Sequence, residues 1–158
     1  MSAYSPEYER AYVFTAKHEG GWADVKGDPG GKTKFGIADL RDGVADGKTD
    51  TDGDGTPDTF IRDLTPEQAK DIFYREYWLE AGCPAYPRPM DLVVFDSAIH
   101  SGPKRAVAWH QTHKDYLSYI TEREVFLRRW CRAKPDRHKF MNGFMNRLNA
   151  LRYAAGKR

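Results

Sequence analysis

Two carboxylates stand out in the stretch KHEGGWADVKGDPGGKTKFGI, residues 17–37. Glu19 directly precedes Gly20 and Gly21, and Asp28 leads into Pro29, Gly30 and Gly31. A carboxylate at the last turn of a helix meets the partial negative charge of the macrodipole, which disfavours its ionised form. Partial burial raises its proton affinity further. A general acid working near neutral pH needs that property. Asp28, in a polar glycine-rich turn, is expected to stay ionised. Two carboxylates with environments pushed apart suit glycoside hydrolysis. The glycines would let backbone approach a bulky sugar chain closely. On the EGG tripeptide alone, a surface glutamate beside turn-forming glycines accounts for the pattern at least as well.

A second constellation is DTDGDGTPD, residues 50–58. Asp50, Asp52 and Asp54 fall at positions one, three and five of an EF-hand-like calcium loop. Gly55 takes position six, where the chain must turn sharply. Thr56 would offer its carbonyl at seven, and Asp58 falls at nine. Calcium wants six to eight oxygens, and the nonapeptide supplies most of them. Ile61 stands where the usual bidentate Glu would be, with Asp63 and Asp46 as substitutes within reach. The expectation is a structural Ca2+ in an isolated loop, not flanked by an EF-hand helix pair. The alternative is a disordered acidic loop.

Other side chains admit two readings each. His110 and His113, three apart on a helix, could join His18, His100 or His138 around zinc. No HExxH or cysteine partner supports this. Tyr77 and Trp78 could line a sugar cleft, since aromatic faces stack on pyranose rings; core packing explains Tyr77 equally well. Asp96 lies in an apolar helix and needs a partner there. The stretch FLRRWCRAKPDRHKF, residues 126–140, alternates aromatic and basic residues. It could touch nucleic acid or anionic envelope phosphates; no nucleic-acid motif supports the former.

The elements that must position these residues are mainly helical. Ser5-Pro6-Glu7 is a helix start: N-cap, proline at the first position, acid in the first turn. Tyr8, Tyr12, Ala11 and Phe14 follow at helical spacing, and the helix should run to His18 or Glu19, where the glycines stop it. TKFGIADL predicts a short hairpin. LTPEQAKDIFYREYW predicts a helix with a Thr65/Gln68 capping box, Pro66 at its first position and an apolar stripe of Ala69, Ile72, Phe73 and Tyr77. MDLVVFDSAIHSG, apolar nearly all round, predicts a buried central helix ending near Gly102. Pro103 opens the next helix, a further one stops before Pro135, and Phe140, Phe144, Leu148 and Leu151 space out the last. The fold class is mainly α, with a small irregular or β region near residues 20–60.

The 158 residues make one domain's length, 1–158, with an acidic insertion at 42–63 and a basic helical part at 103–158. Apolar residues are 40% and charged residues 30%, as in a globular protein. The N-terminus lacks the basic start and apolar middle of a secretory signal. Cys83 and Cys131 match no metal spacing and are expected as buried thiols, with a single disulfide open. Net charge is +2, but residues 101–158 hold fourteen Lys/Arg against four Asp/Glu, and residues 1–100 eleven against nineteen. Such asymmetry points to a polyanionic partner for the basic half or to a solvated helix face.

HEGGW, DPGGKTKFGI, LTPEQAKDIFYREYW, DLVVFDSAIHSGPKRAVAWHQ and KFMNGFMNRLNAL, in this order, resemble glycoside hydrolase family 108. These are phage endolysins and bacterial N-acetylmuramidases of the lysozyme superfamily. The likeness covers roughly residues 7–41 and 61–152. It implies a lysozyme-like fold, peptidoglycan as substrate and Glu19 as the catalytic acid. The spacing Glu19, Asp28, Thr33 resembles the Glu–Asp–Thr triad of phage-type lysozymes, with Asp28 stabilising an oxocarbenium ion or guiding water and Thr33 positioning that water. Trp22, Tyr77, Trp78, His100 and Gln111 are expected substrate contacts. Trp22 replaces a frequent tyrosine, and His100 replaces an asparagine before Ser101-Gly102. A DGxxGPKT-like stretch is not found between Gln111 and Tyr116, so the C-terminal module looks trimmed. A monomer released to the wall through a holin pore is implied, with a lytic transglycosylase or a non-catalytic calcium-dependent wall-binding module as alternatives.

Overall fold

The computed structural model describes residues 3–19 and 33–157. Trp22 and Asp28 lie outside the described residues. Two compact units are present, residues 1–76 and 77–158.

In the first unit, helix α1 spans Pro6–Ala16 and is capped by Ser5, whose side chain accepts from the Tyr8 amide. It buries Tyr8, Ala11 and Thr15. Its end comes earlier than the glycines suggested: Lys17 is the C-cap, and the His18 amide donates to the Thr15 carbonyl at 2.9 Å. Two hairpins follow. β1 (Thr33–Lys34) pairs antiparallel with β2 (Ile37–Ala38), and β3 (Lys48–Thr49) with β4 (Thr59–Phe60). A 3-10 turn, Ile61–Asp63, leads to α2 (Pro66–Phe73). The Thr65/Gln68 capping box is formed on both sides. Ala69, Ile72 and Phe73 are buried as the stripe requires. The helix then widens into a π-helical segment, Tyr74–Leu79, in place of the uninterrupted α-helix expected. The Tyr8 hydroxyl donates to the Lys70 carbonyl at 2.6 Å and Tyr4 to Asp71 at 3.0 Å, tying α1 to α2.

The second unit is built on α3 (Met90–Ser101), buried from Met90 through Ala98. Fully burying side chains such as Val93, Val94 and Phe95 stabilises by about 1.5–3 kcal/mol each. Gly102 separates α3 from α4 (Pro103–Thr112). Helix α4 ends at Thr112, and Asp115 caps a new helix by accepting from the Ser118 amide at 2.9 Å. That helix is α5 (Tyr116–Arg132), followed by a 3-10 turn (Pro135–Phe140) and α6 (Met141–Gly156). Cys83 and Cys131 are buried free thiols. Among the described residues, no helix is long and apolar enough to cross a membrane.

Candidate active site

The β1–β2 hairpin carries Thr33 and seats Glu19. Lys34 pairs with Ile37, so the loop is the two residues Phe35 and Gly36. Both have positive φ, 53° and 82°, as a type I′ turn requires and as the right-handed twist of the strands favours. Gly36 is needed twice. Its φ suits glycine, and a Cβ there would lie 2.8 Å from Glu19 Oε2 and 3.0 Å from its Cβ and Cγ. The half-buried Glu19 side chain therefore rests directly on the turn. Its backbone lies beyond the Lys17 cap of α1, which corrects the expectation of a place within the last helical turn. The macrodipole effect fades beyond that turn, and the hairpin turn is a contact that helps position this carboxylate.

The model of glycosyl hydrolase 108 matches residues 12–102, which contain Glu19, Thr33 and the hairpin. This chain belongs to glycosyl hydrolase family 108. It is similar to the solved structure of Brucella abortus SagA, with 26% identity, 94% of this chain and 92% of that chain covered, and a TM-score of 0.68. No curated protein matches. The mainly α, lysozyme-like fold agrees with this membership, and the chain is a glycoside hydrolase of the peptidoglycan-degrading kind.

The other candidate contacts of this family 108 chain are placed unevenly. Trp78 is corrected: it is 1% exposed and meets Phe95 edge-on at 5.4 Å, so its ring is a core element with no face for a sugar. Tyr77 is half-buried and Gln111 is exposed on α4. His100 is half-buried at the end of α3, and its ring meets Phe144 at 4.7 Å. Beneath it lies an ionic centre that sequence reasoning had only half foreseen. Asp96, fully buried, takes Arg123 at 2.7 Å and Arg147 at 2.8 Å. Burial opposes ionisation of Asp96, but the two guanidiniums prevail and hold its carboxyl well below the usual range. Arg123 Nη2 also contacts His100 Nδ1 at 2.9 Å. Arginine can only donate, so Nδ1 accepts and the neutral ring carries its proton on Nε2. Burial, then the Arg123 and Arg147 charges, push His100 down to about 3. The buried Asp in an apolar helix was a signal that a cation exists, but it did not say which one.

His110 and His113 lead elsewhere than to a metal. The His110 ring packs on Tyr86 at 4.4 Å, and His113 Nδ1 sits 3.2 Å from the Trp109 carbonyl. Among the described residues, the group of three that could share an ion is Asp50, Asp52 and Asp58, with ligand oxygens within 4.8 Å of one another.

That acidic loop joins β3 to β4. Asp50 accepts from the amides of Asp52 at 3.1 Å, Gly53 at 2.6 Å and Gly55 at 2.8 Å. Burial works against it, but the Gly53 and Gly55 amides hold the Asp50 carboxyl below its ordinary value. Asp58 is held low by the hydroxyls of Thr59, at 2.7 Å, and Thr51, at 2.8 Å. Gly55, at the sixth position, has φ +90°. Asp54 stands apart from the three converging carboxylates and accepts from the Thr56 amide at 2.7 Å. Ile61, at the twelfth position, is fully buried. Asp63 is exposed beside Arg62, and Asp46 accepts from the Lys48 amide. Arg75 donates to the Thr51 carbonyl at 2.9 Å and to Asp71 at 3.0 Å, tying the loop to α2.

Proposed function

We propose that this family 108 enzyme is an N-acetylmuramidase, cleaving the β-1,4 bond between N-acetylmuramic acid and N-acetylglucosamine, with Glu19 as general acid. The observation that carries this is the Glu19 carboxylate held against Gly36 in the turn of the hairpin that bears Thr33. Glu19 protonates the leaving oxygen, and Asp28 and Thr33 manage the developing positive charge and the water. Ca2+, held by Asp50, Asp52 and Asp58 with Asp54 and Thr56 from the same loop, orders residues 50–58 and takes no part in the chemistry. The D-x-D-x-D-G spacing and the three converging oxygens support that reading. The protein acts as a monomeric endolysin that reaches the wall through a holin-type pore. Its basic C-terminal half faces an anionic envelope surface and not nucleic acid.

Glu19→Gln is expected to remove turbidity loss of purified peptidoglycan while the circular dichroism spectrum stays unchanged. Wild-type clearing by the mutant would sink the assignment. Mass spectrometry of the products separates hydrolysis, which leaves reducing ends, from the anhydro-muramoyl ends of a lytic transglycosylase. A protein that pellets with walls and releases no sugar would be a binding module.

A further inference from the structure

A line of aromatic and cationic groups runs outward from the Glu19 hairpin, within the first unit. It begins at Phe35, a bulky residue held at φ 53° where asparagine or glycine is usual. A left-handed backbone costs such a residue about 1–2 kcal/mol, and strain of this kind concentrates at ligand sites. Lys34 Nζ stands 5.4 Å from the Phe35 ring centre and donates to the Arg62 carbonyl at 2.6 Å. The Arg62 guanidinium lies 5.1 Å from the Phe60 ring, and Lys48 Nζ lies 5.0 Å from the same ring. Phe60 is 42% exposed and the Arg62 side chain 68% exposed. Asp63, 3.8 Å from Arg62 Nε, is itself 61% exposed, so their attraction is weak and solvent-screened. Three cations over two rings thus gather in a unit that is otherwise strongly acidic.

Cations held over the half-buried Phe35 ring and the exposed Phe60 ring make a surface for a ligand that carries carboxylates on a chain with apolar parts. A bare glycan of N-acetylated sugars offers few charges. The peptide stem on each muramic acid offers several carboxylates, spaced along a short backbone with methyl and methylene groups. We infer that the strip Phe35, Lys34, Arg62, Phe60, Lys48 binds the anionic peptide stem of a peptidoglycan strand, so that the enzyme selects stem-bearing glycan. This deepens the muramidase reading and rests on it for the identity of the strand. The strip begins at the turn that seats Glu19, and a stem held there would register the sugar chain relative to the acid. No strip residue is assigned a part in the bond cleavage.

The test compares a muropeptide tetrasaccharide carrying tetrapeptide stems with the same tetrasaccharide stripped of them. Binding to the Glu19→Gln protein is measured by calorimetry, and cleavage by the otherwise native protein is measured by product mass. The stem-bearing ligand is expected to bind more tightly. Arg62→Ala and Lys48→Ala should each weaken that binding about two- to five-fold, the scale of an exposed ion pair. The double reversal Arg62→Glu with Lys48→Glu should abolish the preference and leave the stripped ligand untouched. For cleavage, KM for stem-bearing strands should rise while kcat holds. Equal affinity for the two ligands, or a charge-reversed protein that keeps the preference, would overturn the inference. Stem-selective binding by a protein that cleaves neither ligand would support the strip and sink the muramidase reading instead.

Discussion

The acidic loop at 50–58 and the ionic centre around Asp96 both concentrate charge, and they solve the problem in opposite ways. In the loop, carboxylates are exposed or half-buried and meet amides and hydroxyls from their own hairpin, such as half-buried Asp50 with Gly53 and Gly55, and exposed Asp58 with Thr51 and Thr59. In the centre, one carboxylate is sealed from water and met by two guanidiniums from helices far along the chain, Arg123 on α5 and Arg147 on α6. The first arrangement leaves negative charge available to an incoming cation. The second consumes its charge within the core and leaves His100 neutral above it. Charge left near water is open to a ligand, whereas charge sealed in a core is committed to architecture.

The contrast predicts unequal losses. Asp96→Ala strands two buried guanidiniums, and breaking such a pairing costs about 3–5 kcal/mol. A denaturant melt should show that loss, whereas a midpoint close to wild type would remove the distinction between the two regions. Because the Asp96 pKa is depressed in the fold, its contribution is present above the ordinary carboxylate range. It is lost only as pH falls through the much lower folded value, in strong acid.

Calcium is the next largest effect. Saturation at one hundred times the dissociation constant adds about 2.7 kcal/mol, read as a rise in melting temperature when calcium follows EDTA. Asp50→Asn should cancel the rise. A melting temperature indifferent to calcium would mean that the loop is closed by its own amides alone.

The smallest effect at neutral pH belongs to His100, and it grows only as pH falls. Its folded value of about 3 lies below its ordinary 6.5, so the unfolded chain takes up the proton first. Stability is then full above pH 6.5 and declines as pH falls toward 3, by at most about 1.4 kcal/mol per pH unit. His100→Gln can still accept from Arg123 and should flatten that slope. An unchanged slope would mean that His100 does not titrate with unfolding.

Local features were legible before the fold was known. The Ser5 cap, the Thr65/Gln68 box, the TKFG hairpin and the turn at Gly55 all formed as their residues required. In each, the partners lie within a few positions, so chain geometry alone brings them together. The DxDxDG spacing predicted convergence, and Asp50, Asp52 and Asp58 do converge. Asp54 stands outside that group, its carboxylate accepting from the Thr56 amide.

Long-range features were decided by packing. Asp96 announced the need for a partner, but Arg123 and Arg147 lie 27 and 51 residues away among many similar arginines. Only the placement of α5 and α6 against α3 selects them. Trp78 carried the composition of a sugar-stacking residue, and its place against Phe95 made it core. Periodicity states which face of a helix is apolar, but not what covers that face. Glu19 shows both sides. Its type and its glycine neighbours named it a candidate acid, and the tertiary contact with Gly36 set where its carboxylate rests, because only a residue without a Cβ leaves room for it there.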